Sequence, residues 1–169
     1  MAHRLLLLRH AKSERRPGVP DEERQLAERG IRDAAAAGEL IAAEGWAPDL
    51  VLCSTAERAR RTWSLAAAAL TPAPVLLEQP DLYGADVPDV LRLVRAVEEA
   101  VGTLLVVGHE PTFSRTVEEL AGDGSDRDAL GRLRDKFPTS GVAVLSVDVP
   151  WEQLGPGLAA LERFEVPRG

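Results

Sequence analysis

Arg9-His10 stands directly behind four leucines, Leu5 to Leu8. Arginine offers a planar, permanently charged fork for an oxyanion. A neutral histidine offers a ring nitrogen for attack or proton transfer. Together these two types suggest phosphate chemistry. Two more segments repeat the design of an apolar run followed by a polar turn: Leu50 to Arg58 and Leu104 to His109. Ligands bind beyond the carboxyl ends of strands in open α/β sheets. If the three runs are neighbouring parallel strands, Arg9, His10, Arg58 and His109 meet in one pocket, and that set suits an oxyanion. Arg58 lies near the start of a helix for which Ser54 or Thr55 is the expected cap, where free N–H groups also favour an anion. Arg60 and Arg61 read as solvated charges. His3 has no supporting pattern and reads as structural. No His-x-x-x-His or other ligand spacing appears, and paired arginines disfavour a divalent cation, so no metal is expected.

The elements that must hold these residues alternate. Strands are expected over His3–Arg9, Leu50–Cys53, Val75–Leu77 and Leu104–Val107, with two more over Val142–Val147 and Ala159–Val166. An alanine-rich helix runs from about Ala27 to Glu44, with Ile31, Leu40 and Ile41 on its apolar side and Gly45 closing it. A second helix follows Ser54 or Thr55 and reaches about Leu70. Val87, Val90, Leu91, Val94, Val97 and Val101 recur at helical spacing, which predicts a helix over 87–101 with one buried stripe. Short helices are expected over Phe113–Leu120 and Ala129–Lys136, and Thr112 is a candidate cap for the first of them. Trp63 and Trp151 read as packing residues. The alternation predicts a three-layer α/β/α sandwich around a mostly parallel sheet.

Composition narrows the function classes. The chain has 169 residues, 45% of them apolar, which suits a single domain, 1–169, with a real core. Its net charge of −7 argues against a nucleic-acid or acidic-membrane binder, although basic residues cluster at 9–16 and 58–61. Cys53 is the only cysteine and sits in an apolar run, so it reads as inert core. No segment is long enough to span a bilayer, and the N-terminal leucines are too few for a signal peptide. A cytoplasmic protein is expected.

The same residues carry a family resemblance. Leu-Leu-Arg9-His10-Ala-Lys, then Ser54-Thr-Ala-Glu-Arg58-Ala with Thr62, then Val-Val-Gly108-His109-Glu-Pro resemble the signature of the histidine phosphatase superfamily, which includes phosphoglycerate mutases. The Arg-His-Ala-Lys-Ser variant and Lys136-Phe-Pro-Thr-Ser140-Gly resemble its SixA-type branch, the phosphohistidine phosphatases. The resemblance implies a phosphoglycerate mutase-like fold and a metal-independent phosphatase without a cofactor. His10 would be the nucleophile, with Arg9, Arg58 and His109 completing the phosphate pocket. Arg24 matches a further phosphate-binding arginine, although Gln25 and Ala27 replace the usual proline and threonine. Lys12 and Ser13 border the pocket.

The leaving group is less defined. Many relatives hold a carboxylic acid over the pocket, and here Glu78, Asp81 and Asp86 are candidates without a matching motif. A protonated imidazole leaves with less help than an alkoxide. The expected substrate is therefore a phosphorylated protein carrying phosphohistidine. A small phosphorylated metabolite, with one of the three acids at work, is the second reading. A non-catalytic phosphate-binding domain of the same fold is the third.

Overall fold

The computed structural model describes residues 2–169. Six strands form one sheet in the order β3-β2-β4-β1-β5-β6. They are β1 (His3–Arg9), β2 (Leu50–Ser54), β3 (Val75–Gln79), β4 (Thr103–Gly108), β5 (Val142–Val147) and β6 (Ala159–Glu165). β1 to β4 are parallel; β5 and β6 join antiparallel. The helices are α1 (Glu28–Ala43), α2 (Glu57–Ala67), α3 (Val87–Arg95), α4 (Thr112–Leu120) and α5 (Arg127–Asp135).

The alternation of side chains along each strand explains the three layers. Leu5 and Leu7 of β1 pack with Val90 and Val94 of α3, Phe113 of α4 and Leu133 of α5. Leu6 and Leu8 pack with Ile41 of α1 and Trp63 of α2. Both faces of β1 are thus covered, which is why it reads as an unbroken apolar run. The expected α/β/α sandwich is the observed one. Cys53, Trp63 and Trp151 lie in the core, and burial pushes the Cys53 thiol up to about 12. His3 stacks on Trp151 at 4.6 Å and meets Glu99 at 2.6 Å, far along β1 from Arg9.

Several boundaries differ from the expected ones. Ala56, not Ser54 or Thr55, caps α2, without a side-chain hydrogen bond, and α2 stops at Ala67 rather than Leu70. α3 stops at Arg95; Val97 and Val101 keep the apolar pattern because they still pack on the core beyond the helix. Thr112 begins α4 after the cap Pro111, and its hydroxyl donates to the Ala85 carbonyl instead. Ile31 is 40% exposed, so it does not belong to the buried face of α1. That face is built from Gly30, Ala34, Ala37, Gly38 and Ile41. Gly45 does close α1, with φ +69°.

The small residues let α1 sit close to its neighbours. A Cβ on Gly38 would collide with the Ala66 carbonyl oxygen of α2, and one on Gly30 with the Lys12 carbonyl oxygen. Both obstacles are backbone, which cannot swing aside. Gly38→Ala is expected to destabilise the fold by about 1–3 kcal/mol, the usual range for overpacking. A lower denaturant midpoint at unchanged slope is the readout, and an unchanged midpoint would mean that the two helices part easily.

Candidate active site

Register brings the three strand ends together. Arg9 of β1 lies opposite Gly108 of β4, and Cys53 of β2 lies opposite Val107. His10, Ser54 and His109 therefore emerge along one edge of three adjacent strands. A cavity of about 750 Å³ opens there, and its lining includes Arg9, His10, Lys12, Arg24, Arg58 and His109. The six residues expected to attack or hold phosphate all border this one space.

His10 is 8% exposed. Its Nδ1 lies 2.8 Å from the Ala11 carbonyl, which can only accept, so Nδ1 carries the proton and Nε2 keeps a lone pair. Burial lowers its pKa to about 3; His109, Arg58 and Arg9 push the same way, while the Ala11 carbonyl opposes. The backbone beyond it is pinned from α2, since Ala11 N–H donates to Thr62 Oγ1 at 2.9 Å and Thr62 donates to the Arg58 carbonyl at 2.6 Å. Thr62 thereby ties the nucleophile-type residue to the helix that carries Arg58.

His109 follows β4, and its ring centroid is 5.2 Å from that of His10. Burial, then the Arg58 and Arg9 charges, lowers its pKa to about 4, with Asp21 opposing. Both imidazoles are neutral near pH 7. Nε2 of His109 meets Ser54 Oγ at 2.8 Å.

The arginines are held by hydrogen bonds within the protein. Arg9 donates to the Phe137 carbonyl at 2.8 Å, so the Lys136–Gly141 segment also reaches the site. Arg58, 7% exposed, donates from both terminal nitrogens to Asp21, to its carbonyl at 2.7 Å and its carboxylate at 3.0 Å. The Nε–H groups of Arg9 and Arg58 are buried without a partner among the described residues. Arg24 donates to Ser13 Oγ at 2.6 Å and to the Asp21 carboxylate at 3.0 Å. Arg60, in contrast, is solvated and pairs with Glu78 on the exposed β3 edge.

Asp21 and Tyr83 were not apparent in the sequence. Tyr83, the chain's single tyrosine, donates to Asp21 at 2.7 Å and sets its ring edge-on to His109 at 5.8 Å. The Tyr83 hydroxyl, then Arg24 and Arg58, hold the Asp21 carboxyl below the usual range. The only hint available was the Asp21–Arg24 spacing of three.

The three candidate acids lie elsewhere. Glu78 pairs with Arg60, Asp81 with Arg92, and Asp86 caps α3 in a reciprocal box with Asp89. None of them is among the cavity-lining residues. Among the described residues no group of three or more His, Cys, Asp or Glu could hold a metal ion, and no helix is long and apolar enough to cross a membrane.

Residues 5–83 match the family model of the histidine phosphatase superfamily, branch 1. A structure from Nakamurella multipartitia, provisionally described as the phosphohistidine phosphatase SixA, is 34% identical, with TM-score 0.88 over 99% of this chain and 97% of that one. The chain belongs to the histidine phosphatase superfamily. A similarly described SixA from Agrobacterium tumefaciens is also 34% identical, with TM-score 0.83 over 98% of both chains. An uncharacterised protein of Mycobacterium tuberculosis is 47% identical over 95% of this chain and all of its own. These matches place the protein in the SixA-type branch, as a phosphatase. A further SixA structure, complexed with tungstate, shares the fold at TM-score 0.78 and 22% identity, over 97% of both chains.

Proposed function

We propose that this histidine phosphatase hydrolyses phosphohistidine on a protein, by way of a covalent phosphoryl group on His10. The carboxylates that line the cavity carry the substrate reading. Each is already engaged: Glu14 with Arg16, Asp21 with two arginines and Tyr83, and Glu110 with Ser114 N–H and Oγ at 2.7 and 2.8 Å. Asp21, held below the usual carboxylate range, is an especially poor proton donor. An alkyl phosphate needs a proton on a strongly basic leaving oxygen. A phosphohistidine protonated on its distant ring nitrogen leaves as neutral imidazole without one.

The chemistry then follows from the charges present. His10 Nε2 attacks phosphorus as the P–N bond to the substrate ring breaks, and that bonding pair returns to the departing nitrogen. The Ala11 carbonyl stabilises the positive charge that develops on the His10 ring. Arg9 and Arg58 border the cavity and place their positive charges against the phosphoryl oxygens. Arg24 and Lys12 extend the positive surface toward the rest of the substrate. Water next attacks phosphorus, the P–Nε2 bond breaks with its electrons returning to His10, and the water proton passes to solvent with release of phosphate. The arginines supply the charge, so no metal is invoked.

The reading is tested by comparing kcat/KM for a phosphohistidine protein with values for a panel of sugar and nucleotide phosphates, each with and without EDTA. The phosphohistidine protein is expected to be the best substrate by at least about tenfold, with EDTA having no effect. Faster turnover of one metabolite would overturn the protein-substrate assignment, and inhibition by EDTA would overturn the metal-free step.

A further inference from the structure

We propose that Ser54 sets the protonation of His109, fixing the proton on Nδ1 so that this ring meets the phosphoryl group as a hydrogen-bond donor. The proposal deepens the phosphatase reading and rests on it for its functional consequence.

Ser54 ends β2 and is fully buried. It does not cap α2. Among the described residues, its hydroxyl has two neighbours within hydrogen-bond reach: Ala56 N at 3.3 Å and His109 Nε2 at 2.8 Å. The Ala56 N–H can only donate, so Ser54 Oγ accepts there. The single hydroxyl proton must then go to His109 or to nothing. If His109 Nε2 were protonated, a buried hydroxyl proton would be left without an acceptor, which is unfavourable. If Ser54 donates, both contacts are satisfied and the His109 proton resides on Nδ1. Nδ1 itself has no partner among the described residues, while His109 lines the cavity.

The His10 Nδ1–H is bound by the Ala11 carbonyl at 2.8 Å, so its bare Nε2 is the nitrogen left for phosphorus. The two rings thus share one tautomer but are turned oppositely. His10 offers its lone pair to the pocket, and His109 offers its N–H. A neutral donor beside a neutral nucleophile suits an oxyanion that gains charge in the transition state. Ser54 is therefore a positioning residue, acting through His109 without touching substrate.

The chain has three histidines, so ring-nitrogen NMR of the intact resting protein is tractable. His10→Asn and His109→Asn would each remove one set of signals and assign the rest. His109 is expected to show a protonated Nδ1 and a bare Nε2; a protonated Nε2 would overturn the proposal. Tungstate should shift the His109 Nδ1 signal, and no shift would overturn the donor role. Ser54→Ala should move His109 toward the Nε2–H form that free imidazole side chains favour, and lower kcat at least about tenfold with a smaller change in KM. Ser54→Thr, which keeps the hydroxyl, should hold the Nδ1–H signature. A Ser54→Ala protein that keeps Nδ1–H would overturn the control by Ser54. The wild-type spectrum needs no substrate, so a failed phosphohistidine assay leaves the tautomer test standing.

Discussion

His10→Ala is expected to reduce turnover by on the order of 10⁴-fold or more, the scale seen when a covalent nucleophile is removed. The variant should remain folded. His10's one side-chain hydrogen bond among the described residues is to its immediate neighbour, the Ala11 carbonyl. The backbone after it is pinned by Thr62, which the substitution leaves in place. Arg9, Arg58 and His109 also stay, so tungstate should still bind. That combination separates the nucleophile from the clamp: binding persists while chemistry stops. An unchanged circular dichroism spectrum with retained turnover would mean that water attacks the substrate directly.

Arg58→Ala is expected to lower kcat/KM by about 10²–10³, comparable to removing one oxyanion donor from a water-poor site. Arg58 is almost fully buried, so its loss is felt at low effective dielectric. Arg58→Lys should not restore the rate. A lysine carries the charge but cannot fork onto Asp21 and a phosphoryl oxygen at once. A second signature accompanies the loss. Arg58 depresses the pKa of His10 and of His109. Removing that positive charge makes both rings easier to protonate, so both pKa values rise toward the ordinary 6.5. The acid limb of the pH–rate profile should therefore move to higher pH in Arg58→Ala. A rate within tenfold of wild type, with an unmoved limb, would remove Arg58 from the account.

How much of this could be read from residues alone depends on the range of each interaction. The strand-end design was legible because β1, β2 and β4 are buried on both faces, which writes the apolar run directly into the sequence. The meeting of Arg9, His10, Arg58 and His109 followed from placing those strands side by side. Ser54 and Thr55 both fit a helix cap by type and position, but the Ser54 hydroxyl meets His109 across 55 residues of chain. Asp21 and Tyr83 were missed for the same reason. The Asp21 contacts to Arg58 and Tyr83 span 37 and 62 residues, and no local pattern marks them. The overlong α3 had another cause: its apolar period continues past Arg95 because the core does, while the backbone turns. Glu78, Asp81 and Asp86 were plausible acids by order along the chain, yet each points to an arginine or a helix end.

The covalent step on His10 is tested by mixing the protein with a phosphohistidine protein labelled in its phosphoryl group, quenching within milliseconds in alkali, and mapping the label by mass spectrometry. An alkali-stable, acid-labile phosphoryl group is expected on His10, absent in His10→Ala. Turnover with no label on His10 at any time, or label on another residue, would contradict that step.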